Sequence, residues 1–101
     1  MKLFISIPMQ GKSIKKVRKE MATIYKELKE IYPGLELIDS IIDEDGSPLW
    51  YLGRAIQLMD DADIVYMAKD WIFAKGCRIE HQCAVSYGKE IISYTDGGKD
   101  G

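Results

Sequence analysis

Four short apolar runs, separated by three segments of helical period and punctuated by glycine, proline and aspartate, predict an α/β fold with a parallel sheet. Strands that alternate with helices are joined by right-handed crossovers, which puts helices on both faces of the sheet. The expected architecture is a three-layer sandwich around a four-stranded parallel sheet in the order 2-1-3-4.

The first run, Lys2 to Pro8 (KLFISIP), is β-rich and almost unbroken in its apolar character, the pattern of a strand covered on both faces. Pro8 and Gly11 break it. From Ser13 the period becomes helical: Ile14, Val17, Met21, Ile24, Tyr25, Leu28 and Ile31 form one stripe, with lysines and glutamates on the remaining surface. Pro33 and Gly34 end that helix. Leu35 to Asp39 is a second strand, and residues 40–51 read as a polar loop closing on Leu49, Trp50 and Tyr51. A second helix follows with Leu52, Ala55, Ile56, Leu58 and Met59 inward, and the acidic turn Asp60 to Asp63 leads into a third strand, Ile64 to Ala68. Next come a loop with Asp70 and Trp71, a hinge at Gly76, and a helix to Tyr87 carrying Glu80 in its first turns. Gly88 is a helix C-cap, and Ile91 to Tyr94 is the fourth strand. The domain is expected to span 1–96, with a flexible Gly-rich tail at 97–101 and no repeat or linker.

A chain of 101 residues is one domain with one core. Its 47% apolar and 30% charged residues are an ordinary globular balance. A net charge of −2 argues against binding a nucleic acid polymer, which calls for a basic face. Cys77 and Cys83 lie six apart on one predicted helix, on different faces, so neither a mutual disulfide nor a metal pair is expected. With His81 as the lone histidine, no metal site is expected either. Reduced thiols imply a cytoplasmic protein. No apolar run nears the ~20 residues of a membrane span, and the first eight residues read as a strand rather than a signal peptide.

The order 2-1-3-4 puts the topological switch between strands 1 and 3, where open α/β sheets hold their ligands. The loops Pro8–Ser13 and Ala68–Gly76 are therefore expected to face each other across a pocket. Glu80, near a helix N-terminus at that edge, is expected to be ionised by the helix-end charge and suited to act as nucleophile or base. A capping or solvated glutamate is the plainer alternative. Asp70, at the same edge, is suited to orient a substrate hydroxyl. Ser6, Pro8, Met9, Gln10, Gly11, Lys12 and Ser13 leave a strand and open a helix, a setting that suits a phosphate; the alternative is an N-capping Ser13 beside a solvated Lys12. The same string approaches a Walker A loop, but Ser6 replaces its first glycine and Pro8 stiffens it. Trp71 and Trp50 are suited either to stacking on a base or to core and subunit packing. His81, about 100° round the helix from Glu80, is expected at the surface or an interface.

Taken together, the strand ending in S-I-x-x-x-G-K, the A-D-I-V strand, and G-x-x-x-E followed by A-x-x-Y-G-K resemble the nucleoside 2-deoxyribosyltransferase family and the related 2′-deoxynucleoside 5′-monophosphate N-glycosidases. The resemblance runs from Lys2 to about Tyr94, and is nearest to a short bacterial and phage branch. It implies a flavodoxin-like, Rossmann-like fold, a homodimer or larger homo-oligomer whose pocket a neighbouring subunit completes, and a nucleoside or nucleotide substrate with no cofactor. It puts Glu80 on the nucleophile that attacks the anomeric carbon and Gly76 on the glycine that admits the sugar. Ser6, Gly11 and Lys12 fall on the loop that holds the 5′-phosphate. The chain departs from the pattern at Phe4, where the transferases have a tyrosine, and at Ala55 and Ala74, where the family has supporting polar or acidic residues. Two functions are expected from this pattern: N-glycosidic cleavage or deoxyribosyl transfer through Glu80, or nucleotide binding without turnover.

Overall fold

The computed structural model describes residues 1–95. The expected tail at 97–101 and the last residue of the expected 1–96 domain lie outside the described residues.

The chain runs β1 (Lys2–Ser6), α1 (Ile14–Ile31), β2 (Glu36–Leu37), α2 (Pro48–Met59), β3 (Ile64–Met67), a 3-10 turn (Trp71–Phe73), α3 (Lys75–Ser86) and β4 (Glu90–Ser93). All four strands are parallel, in the expected order β2-β1-β3-β4. The architecture is the three-layer α/β sandwich that the alternation of strands and helices implies.

The period-2 geometry of β1 divides the core. Leu3, Ile5 and Ile7 face Val17, Met21 and Leu28 of α1, while Phe4 faces the opposite layer with Met59 of α2 and Cys77 and Ala84 of α3. In β3, Ile64 joins the first cluster and Val65 and Met67 the second. Burying each of these larger side chains stabilises the fold by about 1.5–3 kcal/mol relative to exposure. Because every β1 residue from Leu3 to Ser6 is buried, a polar residue on that strand needs a partner inside the protein.

Several boundaries differ from expectation. Leu49, Trp50 and Tyr51 are not loop residues: Ser47 accepts a hydrogen bond from the Trp50 amide, Pro48 fills the first helical position, and α2 starts there. Tyr51 also fastens this turn to the loop before it through the Glu44 carbonyl. Gly76 is the second residue of α3 rather than a hinge, because the helix opens at Lys75. The β2 ladder shrinks to two residues as the chain leaves the sheet edge. In α1, Ile14 and Ile31 are 56% and 68% exposed, since the terminal turns overhang the sheet.

Candidate functional site

The loops after β1 and β3 lie at the C-terminal edge of the two central strands, and α3 rises from that edge against them. Glu80 is the sixth residue of α3 and one of three buried polar side chains among the described residues, with Ser6 and Ser40. The Ser6 hydroxyl, on the face of β1 that also carries Phe4, donates to Glu80 Oε1 at 2.5 Å. Such a distance is typical of a hydroxyl donating to an ionised carboxylate. The second oxygen, Oε2, has no hydrogen-bond partner among the described residues, yet it is not sealed. Among those residues the one partnerless polar side-chain atom cut off from solvent is Ser40 Oγ. Glu80 is thus anchored by one oxygen, while the other is unpaired among the described residues and not wholly cut off from solvent.

Burial pushes the Glu80 carboxyl above its ordinary range, and the Ser6 hydrogen bond pulls the other way without overcoming it. The helix end is therefore not what sets this carboxyl: burial and the Ser6 hydroxyl are. The end charge fades within the first turn, and Glu80 stands beyond it. Cys77, one turn earlier on α3, is buried and free. Burial raises its thiol and the Glu80 charge raises it further, against the Ser6 hydroxyl and the Lys12 ammonium, which lower it. Ser6, Cys77 and Glu80 form one buried cluster, with Lys12 close enough to act on it.

The other expected residues fall differently. Ser6 is 1% exposed and bonded to Glu80, so its hydroxyl does not line an outward-facing phosphate loop. Pro8 is half-buried, while Met9 and Gln10 are exposed. Gly11 takes φ +79°, a left-handed turn that suits glycine. Lys12 is half-buried, and its ammonium pairs with Glu20 at 3.1 Å. Ser13 caps α1 by accepting from the Lys16 amide. The loop thus spends its polar side chains on its own helix, and an anion would have to compete with Glu20 for Lys12.

Trp71 is half-buried, packs against the Phe4 cluster, and stacks on His81 with ring centroids 4.4 Å apart. A Cβ at Gly76 would stand in ordinary van der Waals contact with Leu52, 4.0 Å away. Asp70 is exposed in a left-handed conformation (φ 67°), and it is not among the influences on Glu80. Ala55 and Ala74 pack against the apolar cluster, so neither position brings a second polar group toward Glu80. Trp50 is 38% exposed over Gly46, where any Cβ would run into the indole.

Sequence reasoning missed Cys77 as a neighbour of the carboxylate and missed Ser40 altogether. The i, i+3 spacing of Cys77 and Glu80 on one helix was a usable signal for the first. For Ser40, continuing the β1–β2 register two residues past Ile38 would have set it beside Ser6. No group of three or more His, Cys, Asp or Glu gathers to hold a metal among the described residues. Nor is any described helix long and apolar enough to cross a membrane. A depression of about 400 Å³ lined by Ile56, Met59, Cys83, Tyr87 and Lys89 lies at the far ends of α2 and α3, away from Glu80.

Fold and site together define a small parallel α/β domain with a half-anchored carboxylate at the edge of its central strands. The chain belongs to the family described as Domain of unknown function (DUF4406), whose model matches residues 1–93. No curated protein matches it.

Proposed function

We propose that the protein cleaves or transfers the N-glycosidic bond of a nucleoside or nucleotide, with Glu80 as nucleophile. One observation carries the reading: a buried carboxylate held by one oxygen at the sheet's switch point, with the other oxygen unpaired among the described residues. The motif order from Lys2 to about Tyr94, which resembles the nucleoside 2-deoxyribosyltransferases, supplies the reaction class. Oε2 attacks the anomeric carbon, the bond to the base nitrogen breaks with its electron pair, and the departing base takes up a proton. Water, or a second base, then attacks the same carbon and frees Glu80, the incoming nucleophile giving up its proton.

The working form in this reading is a homodimer or larger homo-oligomer. Leu49 and Phe73, 76% and 77% exposed, flank the start of α2 and α3 and supply the apolar surface for it.

A second reading is favoured by the apolar packing of Ala55 and Ala74: with alanine at both positions that would support proton transfer to the leaving base, the domain binds a nucleotide without turning it over. Release of free base from a panel of deoxynucleosides and their 5′-monophosphates separates the two. The enzyme reading expects release that falls at least about a thousandfold in Glu80→Ala. Ligand binding with no base released by the unaltered protein favours the binding module.

A further inference from the structure

Ser6 is an unusual occupant of its position. Its neighbours along β1 are Ile5 and Ile7, and its own face of the strand also carries Phe4, all of them buried. A hydroxyl costs stability in such surroundings unless its hydrogen-bonding capacity is used. This one is used fully in one direction: its single proton goes to Glu80 Oε1. The two ends of the bond are 74 residues apart and stand on different layers, a strand of the sheet and a covering helix.

We propose that Ser6 is the positioning residue of Glu80: by donating its proton to Oε1 it fixes the rotation of the carboxylate and assigns Oε2 to the ligand. The proposal rests on the reading of Glu80 as the group that meets the sugar. Among the described residues, Ser6 is the one side chain that hydrogen-bonds Glu80. From α3 itself Cys77 faces the pair, and from the β1–α1 loop Lys12 acts on Cys77 while paired to Glu20. The α2 and β3 layers meet the cluster with Ala55, Met59, Val65 and Met67, which carry no charge. The 3-10 turn contributes Trp71, stacked on His81. Burial and Ser6 are the influences that move Glu80. Without the hydroxyl, the same burial acts unopposed and the carboxyl keeps its proton to higher pH.

The test follows the Glu80 side-chain carboxyl by carbon-13 NMR across a pH titration of the full chain, its resonance assigned by loss in Glu80→Gln. In Ser6→Ala the titration midpoint moves upward, and base release on the acidic side falls about tenfold or more, recovering as pH rises. Ser6→Thr, which restores the hydroxyl, returns the midpoint toward that of the unaltered protein. A midpoint unchanged in folded Ser6→Ala overturns the proposal, as does an equal shift in Ala and Thr variants, which would make the effect one of packing. If Ser6→Ala does not fold, Ser6→Cys, close in volume and a weaker donor, carries the same comparison. Failure of the function is separately visible: an unaltered protein that releases no base sinks the glycosidase reading, while the titration still decides what Ser6 does.

Discussion

Glu80 works against the fold that holds it. Below its ordinary value of 4.5 the carboxyl is protonated in folded and unfolded chains alike, and the contribution of the neutral side chain is fully present. Between that value and the raised value of the native state, the folded chain holds a proton that the unfolded chain has lost. Stability from this group is therefore lost as pH rises through the window. Glu80→Gln keeps the size and an acceptor for Ser6 while removing the charge. Its urea midpoint is expected to match the unaltered protein near pH 4 and to exceed it once the pH has risen through that window. A gap that does not change with pH would show that burial of charge is not the cause. A residue that weakens its own scaffold in the charged form is a common mark of a functional site.

At the scale of elements, helix starts are set by short-range chemistry that a single substitution exposes. Ser47 caps α2, and Ser47→Ala is expected to cost about 1 kcal/mol in urea unfolding. The capping signal Ser47-Pro48 was present in the sequence, yet it sat inside a run dominated by Asp43, Glu44, Asp45 and Gly46, and the polar composition hid it. Strand order, by contrast, was legible. Parallel crossovers leave few arrangements for four strands, and the alternation of Leu3, Phe4 and Ile5 fixed which side chains face which layer. Glu80 could be named from its position after strand 3, but its partner could not. Ser6 reads from the sequence as part of an anion loop because its neighbours Gly11, Lys12 and Ser13 suit one. The pairing with Glu80 depends on how α3 lies against β1, and spacing along the chain carries no record of that.

For the molecule as a whole, the open question is how many copies act together. Exposed Leu49, Ile72 and Phe73 put apolar side chains on the surface beside α2 and α3. If they are covered by a second copy, Phe73→Glu is expected to lower the mass seen by sedimentation equilibrium and to reduce base release per chain. A single-copy mass for the unaltered protein would remove the shared-pocket part of the reading. The parallel sheet has one more consequence, for how the protein comes into being. The first strand meets the third across a gap of 61 residues, as the Lys2–Asp63 hydrogen bond marks, and the Glu80 carboxylate lies further along still. During synthesis the opening segment must wait, unpaired on one side, until most of the chain has emerged. Closing the centre of the sheet and assembling the carboxylate's mooring are then late and nearly simultaneous events, so a partly folded chain holds Glu80 without its Ser6 partner.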